Sequence, residues 1–320
     1  MTSKPPVLPS SPGADTPRGE TVPSDSGRGA ASGIRAAGET FLSPLSPHVT
    51  YGFTGRRVAS IDTPHQRIEV IDTDALGRAY RLDGRFMASL ADAHICHECM
   101  VHPLLLAHGA VQRVLILGGG DGGSAREVLR YSGVASVVVA ELDAAVVAMT
   151  QRYLPSLADG AFDDPRTLLA PGDAVAYVDT AHAHGAHFDG IIFDLTEPDG
   201  IAASLHGDAF FARVKDVLAP GGAIALQLGA PWHQTAAVRR MLAALRRHFR
   251  IVRPMTAYVP LYGALWALAC ASDTVDPVAL SSRAAAKALV QHGIGPLRHY
   301  DGARHASLFS LTADVAALLA

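Results

Sequence analysis

The sequence predicts an α/β fold: a mostly parallel sheet with helices on both faces, preceded by a small antiparallel β domain. Three observations lead there. Residues 113–117, Arg-Val-Leu-Ile-Leu, are an apolar run closed by glycines and followed by a helix pattern at 124–131, which is a β-loop-α unit. The same alternation recurs down the chain, and strands alternating with helices imply a parallel sheet covered on both sides. Upstream, shorter runs punctuated by the turn dipeptide Asp83-Gly84 read instead as antiparallel hairpins.

Taken in order, residues 1–44 are expected to be a disordered tail. Up to about residue 40 they are Pro, Gly, Ser and Ala with scattered charges, too poor in aromatic and branched side chains to anchor a core. A β domain, 45–92, carries strand-like runs at 57–61, 66–72, 78–82 and, after the Asp83-Gly84 turn, 85–89. A larger Rossmann-like domain, 93–320, opens with a helix at 93–108. Its strands follow at 113–117, 136–141, 167–170, 188–194 and 222–228, with helices at 124–131, 144–153 and 208–218 between them. Runs at 251–259 and 265–272 read as an antiparallel pair at the sheet edge, and residues 181–187, with His182, His184 and His187, as an exposed loop. No solenoid repeat is present.

The chain has 320 residues, with 27 Lys and Arg against 30 Asp and Glu, a net charge of −3. No basic cluster is long enough to form the stripe that displaces counterions from a polyanion, which argues against a nucleic-acid partner. No apolar stretch approaches the ~20 residues that cross a bilayer, so no membrane partner is expected. The N-terminus has no apolar run after its first lysine, and its acids fit a transit peptide poorly, so the expected location is the cytoplasm. Three cysteines do not make a disulfide framework and suit a reducing compartment.

The chemistry gathers at the carboxyl ends of the strands. Gly118-Gly119-Gly120-Asp121-Gly122-Gly123 follows the first buried strand and opens a helix. Glycines there allow a tight turn and close approach of a ligand to the backbone. Alone such a cluster is equally a well-packed turn. Two features favour a ligand. Glu141 ends the second strand about 20 residues on, the spacing at which an acid accepts hydrogen bonds from ribose hydroxyls. Asp121, inside the loop, would repel a pyrophosphate and attract a sulfonium or ammonium, so the loop reads as facing a nucleoside with a cationic tail, such as an S-adenosyl compound. Asp173-Ala174, after the third strand region, is placed to meet the adenine edge or is an ordinary polar strand end. Asp194 and Glu197, in Asp194-Leu-Thr-Glu197-Pro198, put two carboxylates at the sheet edge, where they can hold a polyvalent cation and one can serve as base toward an amine; the plainer reading is a turn cap and a solvated acid.

These motifs, with Arg126-Glu127-Val128-Leu129, Tyr153-Leu154-Pro155, Phe162-Asp163-Asp164-Pro165-Arg166 and Gly172-Asp173-Ala174, are similar to those of the polyamine aminopropyltransferases, the spermidine synthase family. The likeness also takes in Gln66-Arg67-Ile68, Leu82-Asp83-Gly84, His97-Glu98, Pro260-Leu261-Tyr262 and Leu297-Arg298-His299-Tyr300, covering nearly everything after about residue 45. Order and spacing carry it rather than any single motif. The resemblance implies transfer of the aminopropyl group of decarboxylated S-adenosylmethionine, a co-substrate, to an amine such as putrescine, releasing 5′-methylthioadenosine, with no permanently bound cofactor and no metal. It implies Asp194 as general base. Gln66, Gly118, Gly120, Asp121, Glu141, Asp173 and Ala174 match positions on the nucleoside donor, with Asp121 pairing its aminopropyl ammonium. His97, Glu197 and Tyr262 match the acceptor side, with Gln227 beside them. By analogy with the family the protein is a homodimer or homotetramer.

The sequence departs from the family pattern where the acceptor sits. Cys96 stands in place of the usual Tyr, Ala93 of a Glu and Glu197 of an Asp, and Asp199-Gly200-Ile201 lacks a Gly-Pro pair. An amine site that loses polar partners loses selectivity; Glu197 or His94 is placed to compensate. The Cys/His run 94–102 reads first as small helix residues beside a pocket and only second as a metal site, since no second ligand pair has suitable spacing. Trp232, Trp266, Phe210 and Phe211 read as core or pocket wall and Cys270 as core. Two alternatives to an aminopropyltransferase stand: an S-adenosylmethionine-dependent N-methyltransferase on the same sheet, and a non-catalytic nucleoside or polyamine binder with an altered acceptor site.

Overall fold

A computed structural model describes residues 38–196 and 201–320. Most of the expected tail and Glu197 lie outside the described residues. The N-terminal sheet is an antiparallel meander, β1 (Glu39–Ser46), β2 (Val49–Asp62), β3 (Arg67–Thr73), β4 (Gly77–Leu82) and β5 (Arg85–Ser89), hydrogen-bonded in chain order. It begins at Glu39 and not at the expected 45. The segment taken for the end of the tail is a strand because Phe41, Ser43 and Leu45 alternate inward, and the Arg81 guanidinium lies over the Phe41 ring while donating to the Leu42 carbonyl. Its backbone pairs with the neighbouring β2, while the side chains that cover Phe41 include Arg81 from β4.

The second unit continues with α1 (Ala93–His108), β6 (Arg113–Gly118), α2 (Gly123–Leu129), β7 (Ser136–Glu141), α3 (Ala144–Tyr153), α4 (Pro155–Ala158), β8 (Thr167–Pro171), α5 (Ala174–Ala183) and β9 (Phe188–Asp194). It ends with α6 (Asp208–Asp216), β10 (Leu218–Gly229), α7 (Thr235–His248), β11 (Ile251–Val259), β12 (Ala264–Ser272), α8 (Ser282–Gln291), α9 (Gly302–Leu308) and α10 (Ala313–Leu318). Helix α5 replaces the first part of the loop expected at 181–187: Asp173 caps it, and Tyr177, Val178 and Ala181 bury its inner face.

The sheet order is β11-β12-β10-β9-β6-β7-β8. Strands β6 to β10 run parallel, and β12 pairs antiparallel with both β10 and β11, the edge arrangement the sequence predicts. Side chains alternate across the sheet: Val114 and Ile116 of β6 pack with α1, α2 and α8, Leu115 and Leu117 with α5, α6 and α7. A third cluster joins Ile68, Val70, Tyr80 and Leu82 of the small sheet to Val146, Leu154 and Leu157 of α3 and α4. Helix α1 is wedged between the units and buried along most of its length, which explains why its sequence shows no clean polar face. No helix among the described residues is long and apolar enough to cross a membrane.

Candidate active site

The chain leaves β6 toward β7 and β8, then returns past β6 to β9 and β10. The order therefore reverses between β6 and β9, where the carboxyl ends of an open α/β sheet leave a crevice. Gly118 and Asp194 end these strands opposite each other. Gly118 has φ +75°, and a Cβ on it would sit 2.3 Å from the Asp194 carbonyl oxygen, so only glycine fits. The Gly119 N–H donates to that same carbonyl at 2.9 Å. A cavity of about 140 Å³ opens here, roofed by the small sheet.

At one end stands Glu141. Its Oε2 accepts from the Gly120 N–H and its Oε1 from the Asp143 N–H, each at 3.0 Å. Burial outweighs those bonds and pushes its pKa up to about 7. Asp143 caps α3 and accepts from the Thr63 hydroxyl at 2.7 Å and the Gln66 amide at 3.3 Å, so Gln66 is held over the Glu141 end of the cavity by the small sheet. Asp173 accepts from the Val175 and Ala176 N–H groups at the start of α5; it is a helix cap and, with Ala174, also lines the cavity.

At the centre, His97 of α1 lies between two carboxylates, its Nε2 3.5 Å from Asp121 Oδ2 and 3.9 Å from Asp194 Oδ2. The ring rests on Gly123, where a Cβ would come within 2.1 Å of it. Burial alone would lower the His97 pKa, but the charges of Asp121 and Asp194 prevail and raise it to about 9. Burial likewise opposes ionisation of Asp121, yet His97 and the Gly123 N–H, 2.8 Å away, hold its carboxyl below the usual range. Asp194 is the opposite case: burial and the nearby Asp121 lift it to about 6 against the pull of His97, a 2.7 Å bond from the Ser124 hydroxyl and a 3.4 Å bond from the Gln227 amide. These three side chains offer ligand atoms within 4.8 Å of one another, so the place suits cationic groups.

Beyond Asp194 the wall is a relay. Gln227 accepts from the Trp266 Nε1–H at 3.0 Å, the Trp266 ring packs on Tyr262 at 4.5 Å, and the Tyr262 hydroxyl donates to the Met87 carbonyl at 2.8 Å. Cys96 shares this wall. Burial keeps its thiol protonated, well above the ordinary range.

The chain matches the model of the spermine/spermidine synthase domain over residues 93–280. It is 42% identical over 281 residues to the polyamine aminopropyltransferase of Nitrosomonas europaea, covering 87% of this chain and 85% of that one. It is 37% identical to polyamine aminopropyltransferase 2 of Hyperthermus butylicus, over 80% and 84%. The chain belongs to the spermine/spermidine synthase family. Its fold agrees: a spermidine synthase crystallised with the transition state analogue AdoDATO superposes with TM-score 0.80 at 26% identity, over 88% of this chain and 94% of that one. The spermidine synthase of Thermotoga maritima gives 0.79 at 26%, over the same shares.

As an aminopropyltransferase the chain is a transferase, and the residues read from its sequence are mostly brought together. Gln66, His97, Gly118, Gly120, Asp121, Glu141, Asp173, Ala174, Asp194, Gln227 and Tyr262 all line one cavity. Glu197 lies outside the described residues. His94 is not on the wall: it faces His299, ring centres 6.5 Å apart. Cys96 and Cys99 are buried thiols of α1. The sequence reading missed Ser124, Tyr80 and Asp92. Tyr80 donates weakly to Asp121 at 3.4 Å, and β4, buried at four positions in a row, offers no alternation that would single it out. Ser124 and Asp92 had no signal either, since one serine or aspartate beside a helix start reads as a cap.

Proposed function

We propose that this aminopropyltransferase moves the aminopropyl group of decarboxylated S-adenosylmethionine onto a putrescine-like diamine, giving spermidine and 5′-methylthioadenosine. The observation that carries this reading is the chain of carboxylates through one buried cavity, with Glu141 at one end, Asp121 and Asp194 beside His97 at the centre. A nucleoside sulfonium bearing an ammonium tail, next to a polyamine, is the ligand pair whose charges match it. Glu141 takes the ribose hydroxyls, Gln66, Gly118, Gly120, Asp173 and Ala174 border the nucleoside, and Asp121 pairs with the tail ammonium. His97, Gln227 and Tyr262 border the acceptor.

The acceptor nitrogen attacks the donor carbon bonded to sulfur. The N–C bond forms as the C–S bond breaks, and its electron pair leaves on sulfur as a neutral thioether. An ammonium has no lone pair, so a proton must leave nitrogen first, and Asp194 takes it. A carboxylate lifted to about 6 by burial is a better base than an exposed one and is still ionised at neutral pH. Ser124 and Gln227 fix its orientation, and alignment of two held reactants supplies the rest of the acceleration.

The test is direct. Purified protein is incubated with putrescine and either decarboxylated or ordinary S-adenosylmethionine. Methylthioadenosine and spermidine from the first alone support the proposal. S-adenosylhomocysteine from the second establishes a methyltransferase, and nucleoside binding without turnover on any amine establishes a binder.

A further inference from the structure

We propose that Asp92 is the specificity-determining carboxylate that holds the far ammonium of the acceptor diamine, at the opposite end of the cavity wall from Asp194. This rests on the functional reading above. Asp92 lines the cavity and is 3% exposed. It occupies the N-cap position of α1 yet makes no capping bond, the use such a residue ordinarily has. Its carboxylate points elsewhere: Oδ1 accepts from the Ser89 hydroxyl and Oδ2 from the Leu261 N–H, both at 2.6 Å. Both partners are neutral, and among the described residues no ion pair to Asp92 forms. Its hydrogen bonds come from neutral donors only, and the charge of the nearby His97 offsets just part of the cost of burial. Burial raises its pKa in spite of those two bonds, so a cation docking beside it gains more than it would at an exposed acid.

The wall leads from one acid to the other. Asp194 bonds Gln227, Gln227 bonds Trp266, and Trp266 packs on Tyr262; the neighbouring Leu261 N–H then bonds Asp92. The side chain of Tyr262 lies within the field of both Asp92 and Asp194, and so does that of Cys96. Cys96 sits one helical turn after Asp92, and positions four apart share a helix face. Cys96 and Ala93, both small, line the cavity beside Asp92. A wall with a carboxylate at each end fits a chain with an ammonium at each end, and with alanine at position 93 Asp92 is the acid that remains there.

The assignment is tested by comparing butane-1,4-diamine with butylamine as acceptors. In Asp92→Asn the diamine KM should rise about ten- to hundredfold, the weight of a charged hydrogen bond, while the butylamine KM and methylthioadenosine binding stay as in wild type. The uncharged amide keeps an acceptor for the Leu261 N–H, so a merely structural role predicts no change in the ratio of the two acceptors. Equal losses for both amines, or no loss, overturn the assignment. Asp92→Glu reaches one methylene further into the cavity and should shift preference from the four-carbon toward the three-carbon diamine; an unchanged length preference also overturns it, and this arm decides if the Asn variant does not fold. Absence of product from any amine with the wild-type protein overturns the functional reading instead.

Discussion

The Ser124 hydroxyl, in the first turn of α2, donates a 2.7 Å hydrogen bond to Asp194 Oδ2 across the crevice. That bond favours the charged carboxylate, so it works against the burial that lifts the Asp194 pKa to about 6. The rate at limiting substrate should therefore rise as pH passes through about 6 and the base becomes available. In Ser124→Ala the carboxylate loses its shortest donor and the acid limb should move to higher pH by about one unit, the equivalent of one hydrogen bond to a charged group. A kcat/KM profile with its limb unmoved would show that Ser124 does not hold the base.

Replacing the proposed base separates chemistry from binding. Asp194→Asn keeps the shape of the side chain but cannot take a proton, and kcat should fall about 10²- to 10⁴-fold. The cavity end around Glu141, proposed to take the donor, is set by β7 and the glycine loop and is untouched, so calorimetry should give wild-type methylthioadenosine affinity. Turnover at the wild-type rate at neutral pH would refute the base assignment.

Most of the fold was legible because its strands are continuous apolar runs and its helices are bounded by glycines and acids. Helix α3 and strands β7, β9 and β11 lie where periodicity alone puts them. The start of β1 was illegible because Phe41 is covered by Arg57 and Arg81, which lie on other strands of the small sheet. Site acids such as Asp121, Glu141 and Asp194 were readable because each ends a strand or sits in a glycine loop, where topology alone brings them to one edge. Asp92 and Tyr80 were not, since their contribution depends on the small sheet folding over that edge, a long-range packing event with no local period. For Asp173 the sequence leaves two readings, a contact to the adenine edge or an ordinary polar strand end; in the fold it caps α5 and lines the cavity.

Glu141 makes the empty site sensitive to pH in a defined direction. Its pKa rises from 4.5 in the unfolded chain to about 7 in the fold, so the folded protein holds this proton more tightly. The resulting stability is fully present below pH 4.5 and is lost as pH rises through about 7, a difference on the order of 3 kcal/mol. Glu141→Gln should flatten the fall in stability between acid and neutral pH in urea unfolding of the nucleoside-free protein, and should also weaken methylthioadenosine binding. A fall as steep as that of wild type would mean the carboxyl is not desolvated; undiminished nucleoside affinity would mean it does not meet the ribose.

Gly123 sets the position of His97 from below. Alanine is ordinarily the better residue inside a helix by about 0.5–1 kcal/mol, and Gly123 has ordinary helical backbone in the first turn of α2, so intrinsic propensity favours Gly123→Ala. The packing opposes it: the added Cβ would lie 2.1 Å from His97 Cε1 and 2.2 Å from Nδ1, and a ring held inside a buried helix has nowhere to retreat. The variant should lose about 1–3 kcal/mol, the usual cost of overpacking, and its acceptor KM should rise as His97 is pushed off the Asp121–Asp194 pair. Gly295→Ala is the control, since a Cβ there meets nothing within 4 Å and its backbone is not left-handed. Should both variants unfold at the same denaturant concentration as wild type, the contact between His97 and α2 does not constrain the ring, and the placement of the imidazole between the two acids must come from α1 alone.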